Sequence, residues 1–246
     1  MAERAARAAG EVLLARYGRP VEGLERKSSV NDPVSDADRA AEEAIRDLLA
    51  AERPDDGLLA EEGSRADAAS GRRWVVDPLD GTVNYLYGFP AWCVSVALQD
   101  EQGGAVGVVH DPLRGETFRA SRGDGASLDD SAIRVRQRED LSRALIATGF
   151  SYDRERRASQ AAVVQRLLSQ VRDVRRAGAA ALDLSWLAAG RLDGYYERGL
   201  SAWDWAAGRL IVEEAGGEVV ELPGEPYGLA AANPALLPAL VPIVAG

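Results

Sequence analysis

The sequence predicts a mixed fold of two packed halves, an antiparallel α+β half over residues 1–140 and an α/β half over residues 141–246. Two helical patterns open the chain and are followed by several short strands separated by Gly, Asp and Pro. After about residue 140, strand patterns alternate with helix patterns. No long flexible linker separates the halves, so we expect one unit with a cleft between them.

The first half begins with apolar residues at helical spacing over residues 2–17 and 35–53. Ser35 and Asp36 are possible caps of the second helix, and Glu42 and Glu43 are expected on its solvated side. Short β-branched or alternating segments predict strands at 74–77, 93–98, 105–110 and 116–120.

The second half alternates in type along the chain. Strands are predicted at 144–149, 173–178, 193–197 and 217–222. Helices are predicted at 158–171, 179–190 and 205–215.

Composition excludes several functional classes. The formal net charge of −10 argues against general binding to nucleic acid or anionic membranes. Cys93 is the single cysteine, and no apolar stretch approaches the roughly 20 residues of a membrane span. The first residues lack the apolar centre of a signal peptide, so we expect a cytoplasmic protein with no membrane contact.

The motif DPLDGT at residues 77–82 places two carboxylates around a proline. Pro78 is expected to end the strand, so that Asp77 and Asp80 converge in a tight turn. Converging carboxylates repel unless they share a proton or a cation, and oxygen ligands suit Mg²⁺ or Mn²⁺. Gly81 and Thr82 would then open a helical turn whose N–H groups bind phosphate. The alternative is a polar β-turn without a ligand.

Two further acidic positions extend this pattern. Glu61 and Glu62 follow a short apolar run, and Asp204 precedes an apolar helix between two tryptophans. The alternatives are a solvated carboxylate pair and a simple helix N-cap. The flanking tryptophans favour a buried Asp204, which requires a partner.

These motifs together resemble the inositol monophosphatase family of Mg²⁺-dependent, lithium-sensitive phosphatases, and the resemblance extends over residues 34–233. The segments VSDADRAAEEAI, LLAEEG, WVVDPLDGTVNY, GAAALDLSWLAAGRLDGYYE and WDWAAGRLIVEEAGG stand in the family's order and spacing. The resemblance implies a layered αβαβα sugar-phosphatase fold, a homodimer, and a site between the halves with two or three Mg²⁺ ions.

The resemblance also assigns metal ligands. Glu61, Asp77 and the Leu79 carbonyl would hold one Mg²⁺, and Asp77, Asp80 and Asp204 would hold a second. Asp77 would therefore bridge the two ions, as in two-metal phosphatase sites.

The catalytic and substrate contacts follow from the same resemblance. Glu61 and Thr82 would hold the attacking water, and Asp38 would orient the Thr82 hydroxyl, unless Asp38 simply lies on the exposed side of its helix. The expected substrate contacts are Asp80, Gly81, Thr82, Gly178, Ala179, Glu197 and Asp204.

Departures from the family pattern leave the substrate open. Ala179 stands where many relatives have Ser or Thr, and Tyr85 stands where Phe is common. Inositol monophosphate is the first expectation, and histidinol phosphate, a sugar bisphosphate and a nucleotide 3′-phosphate are alternatives. His110 alone cannot build a histidine metal site, and Cys93 in an apolar strand is expected in the core.

Two arginine pairs and one alternative function complete the predictions. The pairs Arg156–Arg157 and Arg175–Arg176 are candidates for a second phosphate or a subunit contact, although solvated surface arginines are the commoner case. The alternative function is a binding or regulatory protein that keeps the fold but has no activity. The complete set of carboxylates, Glu61, Asp77, Asp80 and Asp204, favours an enzyme.

Overall fold

The computed structural model describes residues 1–18, 25–26, 33–34 and 36–245. The helices are α1 (Ala2–Leu14), α2 (Asp36–Glu52), α3 (Thr82–Leu86), α4 (Arg154–Leu168), α5 (Ala180–Ala188), α6 (Ala202–Glu214) and α7 (Leu237–Val244), with a short 3₁₀ turn at Leu141–Arg143. The strands are β1 (Glu25–Arg26), β2 (Pro33–Val34), β3 (Gly57–Ala60), β4 (Arg65–Ala66), β5 (Arg73–Asp80), β6 (Cys93–Asp100), β7 (Gly103–Asp111), β8 (Glu116–Ser121), β9 (Gly125–Leu128), β10 (Ser131–Ala132), β11 (Leu145–Thr148), β12 (Asp173–Arg175), β13 (Gly194–Arg198), β14 (Glu218–Glu221) and β15 (Gly228–Ala232).

Two large sheets organise the described strands. The first has eight strands in the order β10-β9-β8-β7-β6-β5-β3-β4 and is antiparallel except between β3 and β5. The second has five strands in the order β12-β11-β13-β15-β14, in which β11 runs parallel to both β12 and β13. The predicted antiparallel character of the first half is thus confirmed for all but one strand pair.

The helices form three layers around these sheets. Helices α1 and α2 cover one face of the eight-stranded sheet, while α5 and α6 lie between the two sheets and contact both. Helix α7 packs on β13 and β15 of the second sheet and contacts α4. Three clusters of buried apolar side chains fill the spaces between successive layers. The αβαβα layering implied by the sequence resemblance is confirmed, whereas the division into halves at residue 140 stays a prediction.

Strand β5 corrects one local prediction, because Pro78 does not end it. Asp77 pairs with Ser95 and Asp80 pairs with Cys93, so three steps along β5 oppose two steps along β6. This extra residue is a bulge, a position at which a strand tolerates proline. In a regular strand, the side chains of residues three apart point to opposite faces of the sheet. The bulge removes this restriction for Asp77 and Asp80, so their side chains can lie on the same side.

Two buried elements near the C-terminus were not predicted. Strand β15 is GLAAA, whose alanines carry little strand propensity, yet all five of its residues are buried in the second sheet. Helix α7 contains Pro242 in its interior and a proline in its first turn, which conceal its helical pattern. The possible cap Ser35 lies outside the described residues. None of the helices in the described part of the chain is long and apolar enough to cross a membrane.

Candidate active site

The β5 bulge presents two buried carboxylates at the end of the strand. Asp77 is 2% exposed and Asp80 is 8% exposed. The Leu79 N–H donates to Asp77 Oδ1 at 3.0 Å, and the Ala181 N–H at the start of α5 donates to Asp80 Oδ2 at 2.7 Å. Each carboxylate is therefore held by a backbone amide, and Asp80 also ties the first sheet to the central helices.

Gly81 makes the turn from β5 into α3 possible. Its φ is 92°, in the left-handed region, and a Cβ there would lie 2.9 Å from the Ala91 carbonyl oxygen. A side chain is therefore excluded by both backbone strain and space. The predicted helical turn after DPLDGT is confirmed, since α3 begins at Thr82.

Helix α2 approaches this turn with Asp38, which is fully buried. The Thr82 Oγ1 atom lies 3.1 Å from Asp38 Oδ1 and 3.1 Å from the Leu79 carbonyl oxygen. A hydroxyl has one proton to donate, so its lone pairs stay available to accept from another molecule. The alternative of a solvent-exposed Asp38 is wrong.

Glu42, one turn further along α2, is also buried, contrary to the prediction of a solvated side chain. Its Oε2 accepts from the Glu62 N–H at 2.7 Å and its Oε1 accepts from the Ser64 N–H at 2.9 Å. The Glu61 N–H donates to the Val76 carbonyl at 3.1 Å. Glu42 therefore fixes the turn that carries Glu61 beside β5.

Asp204 belongs to the first turn of α6 rather than preceding the helix. The helix begins at Ala202 with Ser201 as its N-cap, and Asp204 occupies the third helical position of a capping box. Its Oδ2 accepts from the Ser201 N–H at 2.6 Å. The alternative of Asp204 as a simple N-cap is wrong, and its carboxylate keeps part of its surface open to the cavity described below.

The carboxylates of Glu61, β5 and α6 lie close enough to repel one another. Burial raises the pKa of Asp77 well above its usual range, and Glu61, Asp80 and Asp204 raise it further. Burial raises the pKa of Asp80 to about 7, although amide donation from Ala181 opposes this. The pKa of Asp204 is likewise raised by burial and then by Asp80 and Glu61. The cluster therefore needs protons or cations to offset its charge.

This donor set fits Mg²⁺ in chemistry. All its side-chain donors are carboxylate oxygens, and the Leu79 carbonyl lies in the same turn. Among the described residues, no three His, Cys, Asp or Glu side chains are already arranged as a formed metal site. Ion binding would therefore draw the carboxylates of Glu61, Asp77, Asp80 and Asp204 together.

A cavity of about 830 Å³ opens above the cluster. Six of the predicted site residues line it, namely Glu61, Asp80, Gly81, Gly178, Glu197 and Asp204. Asp38, Asp77, Leu79 and Thr82 do not line it and are buried. Ala179 is buried at the N-terminus of α5 and Ala180 lines the cavity, so the Ala179 contact stays a prediction.

Glu197 lies at the end of β13 and faces this cavity. The Tyr195 hydroxyl donates to Glu197 Oε2 at 2.8 Å. Burial raises the pKa of Glu197 to about 7, while Tyr195 and Arg176 favour its charged form. A Cβ on Gly149 would come within 2.0 Å of Glu197 Oε2, so only glycine leaves room for this carboxylate.

Several site residues were missed from the sequence. Arg154, Phe150 and Trp203 line the cavity, as do Arg156 and Arg176, one from each arginine pair that the sequence offered as a candidate. Asp183 lies in the first turn of α5 with a buried Oδ1 that has no hydrogen-bond partner among the described residues. Burial raises its pKa, and Glu197 and Asp80 raise it further. A lone acid in the apolar run ALDLSWL was the available signal for Asp183.

Cys93 is a core residue, as predicted, and His110 is buried as well. Cys93 Sγ lies 3.7 Å from Asp80 Oδ2, and burial raises the pKa of the thiol well above its usual range. His110 Nδ1 lies 3.0 Å from Thr117 Oγ1, and burial lowers the pKa of the ring.

Comparison with known proteins gives one family. The model of the inositol monophosphatase family matches residues 1–244. A protein of Xylella fastidiosa named Nus factor SuhB is 48% identical over 224 residues, covering 90% of this chain and 80% of that protein. The inositol-1-monophosphatase of Mycobacterium leprae is 47% identical over 206 residues, covering 80% of this chain and 70% of that protein. The crystal structure of the extragenic suppressor protein suhB from Bartonella henselae superposes with a TM-score of 0.92 at 37% identity, covering 98% of this chain and 96% of that chain.

Proposed function

Because the chain belongs to the inositol monophosphatase family, we propose that it is a Mg²⁺-dependent phosphomonoesterase acting on a small phosphorylated polyol, with inositol monophosphate as the first expected substrate. The observation that carries this proposal is the carboxylate cluster at the floor of the cavity. Glu61, Asp77, Asp80 and Asp204 are all present, and their charges act on one another, because Glu61, Asp80 and Asp204 raise the pKa of buried Asp77.

The metal ligands proposed are Glu61, Asp77 and the Leu79 carbonyl for one ion, and Asp77, Asp80 and Asp204 for a second. Bound Mg²⁺ would neutralise phosphate charge and acidify water, as it does in other two-metal phosphatases. The backbone amides that hold Asp77 and Asp80 fix the orientation of these carboxylates before an ion arrives.

Thr82 and Asp38 orient the attacking water. When the Thr82 hydroxyl donates to Asp38, its oxygen can accept a hydrogen bond from water held beside Glu61. Asp38 is buried, so its carboxylate gives this hydrogen bond a fixed direction. The amides of Gly81 and Thr82 at the start of α3 bind the phosphate oxygens in this proposal.

The remaining cavity residues bind the alcohol part of the substrate. Glu197 accepts hydrogen bonds from substrate hydroxyls, and its Tyr195 contact holds the carboxylate towards the cavity. Gly178 lines the same cavity, and the absence of a side chain there leaves room for the Arg176 guanidinium. Ala180 lines the same cavity beside the predicted contact Ala179.

A second candidate function is suggested by relatives named Nus factor SuhB, which are 40–48% identical to this chain. Such a role would be non-catalytic, and the phosphate-release screen below distinguishes it from phosphatase activity. The homodimer and the cytoplasmic localisation stay predictions.

A phosphate-release screen tests the proposed activity. Inositol 1-phosphate, histidinol phosphate, fructose 1,6-bisphosphate and adenosine 3′,5′-bisphosphate are each incubated with the protein in Mg²⁺ and in excess chelator. We expect release from at least one substrate in Mg²⁺ and none in chelator, with Asp77→Asn as the inactive control. Release at equal rates under both conditions would contradict the metal-dependent mechanism, and no release from any substrate would favour the non-catalytic role.

A further inference from the structure

We propose that Gln160 is a positioning residue, which connects one side of the cavity to the strand that carries Glu197. That side consists of residues 150–154 and Arg156, which all line the cavity, and we call it the lining segment. Gln160 lies further along α4 and does not line the cavity. The inference rests on the proposed function, because it takes Glu197 to bind the alcohol part of the substrate.

The Gln160 side chain makes two hydrogen bonds in different directions. Its Oε1 accepts from the Ser151 N–H at 2.9 Å, and its Nε2 donates to the Arg198 carbonyl oxygen at 3.3 Å. A single orientation of the amide satisfies both contacts, because a backbone N–H can only donate and a carbonyl can only accept. Gln160 therefore connects the lining segment to the end of β13.

Helix α4 is packed mainly at its C-terminal end, far from the lining segment. Of its residues, all of which the structure describes, only Leu167 is buried. The Arg166 guanidinium donates to the Ile243 carbonyl at 3.1 Å in the same turn. The first half of α4 is exposed up to Gln160, which is half-buried. Because packing provides most of the stability of a helix, this half depends on contacts such as that of Gln160 for its position.

The acceptor on β13 belongs to a well-held residue. Arg198 is the last residue of β13 and is paired with Gly228 of β15. Its guanidinium donates to the backbone carbonyls of Pro223, Pro226 and Ala245. The Gln160 contact therefore holds α4 against a fixed strand end.

The position of the lining segment matters for Glu197, because the chain touches this carboxylate just before the segment begins. A Cβ on Gly149 would lie 2.0 Å from Glu197 Oε2. On β13 itself, the Tyr195 hydroxyl donates to the same oxygen at 2.8 Å. Movement of the segment towards β13 would press on the carboxylate, and movement away would widen the cavity beside it. Gln160 thus sets the space in which Glu197 meets the substrate.

Two substitutions separate the two hydrogen bonds of Gln160. Gln160→Ala removes both, whereas Gln160→Glu keeps an acceptor for the Ser151 N–H and replaces the donor to the Arg198 carbonyl with an oxygen. Both variants should raise KM for the best substrate of the phosphate-release screen about fivefold, the scale of one lost hydrogen bond. Their kcat should stay within about twofold of wild type, as expected when a contact contributes equally to substrate and transition-state binding.

Matched controls come from the same helix. Gln165 is an exposed residue of α4, so Gln165→Ala and Gln165→Glu make the same changes of size and charge without affecting the connection to β13. These variants should keep the wild-type KM. The rise in melting temperature with Mg²⁺ should be equal in all variants, since neither glutamine is a proposed metal ligand. A general loss of folding would not give this combination of a raised KM and an unchanged response to Mg²⁺.

Three results would overturn the inference. A wild-type KM in Gln160→Glu would show that the contact with Arg198 has no role in the site. Equal KM changes in the Gln160 and Gln165 variants, or a fall in kcat without a change in KM, would also contradict it.

A separate measurement applies if no substrate releases phosphate, in which case the proposed function itself fails. Hydrogen exchange at residues 150–157 then tests the connection directly. Faster exchange in Gln160→Glu than in Gln165→Glu supports the role of Gln160 in holding the lining segment, and equal exchange refutes it.

Discussion

Glu42 offers a sharp test of how the site is assembled, because it touches the turn that carries Glu61 without reaching the cavity. Glu42→Gln keeps one acceptor oxygen and turns the other into an NH₂ group that faces a backbone N–H. The substitution thus breaks one of two hydrogen bonds, at 2.7 and 2.9 Å, to Glu62 and Ser64. We expect the turn to loosen while the rest of the fold is kept.

The expected loss of stability follows from the loss of this one hydrogen bond. One hydrogen bond to a charged group contributes about 2 kcal/mol, so the free energy of unfolding should fall by roughly that amount. In a domain of this size, the melting temperature should fall by about 4–8 °C. A displacement of Glu61 of about 1 Å should lower kcat by up to about 10²-fold. KM should change less, since Glu197 and the α3 amides are untouched.

The assay pairs thermal melting with steady-state phosphate release. Glu43→Gln is the matched control, because Glu43 is the next residue of α2, its side chain is 65% exposed, and it pairs with Arg46 at the surface. Exposed pairs contribute about 0–1 kcal/mol, so this variant should stay close to wild type in both measurements. Our reasoning is refuted if Glu42→Gln matches Glu43→Gln in melting temperature and kcat.

Other predictions address the chemistry and charge of the site. Thr82→Ala should lower kcat by about 10²-fold with little change in KM in steady-state assays, and a wild-type rate would remove Thr82 from water activation. Gly149→Ala should displace the Glu197 carboxylate and raise KM for a polyol phosphate, so an unchanged KM would argue against the Glu197 contact. In metal-free protein, burial raises the pKa of Glu197 to about 7, so folding retains a proton that the unfolded chain has lost. The stabilisation from the retained proton is present at low pH and is lost as pH rises through about 7, so the melting temperature should fall over this range. Glu197→Gln should flatten the fall in melting temperature between pH 5 and 8. An equal slope in both proteins would count against the raised pKa of Glu197. Family resemblance also predicts inhibition of phosphate release by Li⁺ in competition with Mg²⁺.

The sequence predicted the parts of the site whose residues are neighbours along the chain. Asp77, Asp80, Gly81 and Thr82 lie within six residues, so one turn brings them together and its motif could be interpreted directly. The first helices were also accessible, because α1 and α2 have apolar residues at helical spacing. The bulge at Pro78 could not be predicted, since it depends on pairing with β6.

The remaining site features depend on long-range contacts. Glu42 is buried by the turn at Glu62 and Ser64, some 20 residues away, and nothing in α2 itself distinguishes it from Glu43. Of each arginine pair, only Arg156 and Arg176 line the cavity, and this choice is made by the rotation of α4 and by the Asn84 contact to Ala177. Residues close in sequence but different in burial cannot be separated without the packed structure.

The central claim is that the four clustered carboxylates of Glu61, Asp77, Asp80 and Asp204 form a Mg²⁺ site, and a Mg²⁺ titration of the melting temperature tests it most directly. Protein shown to be metal-free should gain about 2.7 kcal/mol at a Mg²⁺ concentration 100-fold above Kd, which corresponds to a rise of roughly 5–10 °C. Asp80→Asn removes one of the mutually repelling charges, so it should melt higher than wild type without metal and gain less from Mg²⁺. An unchanged wild-type melting temperature at saturating Mg²⁺ would contradict the claim that these carboxylates bind the ion.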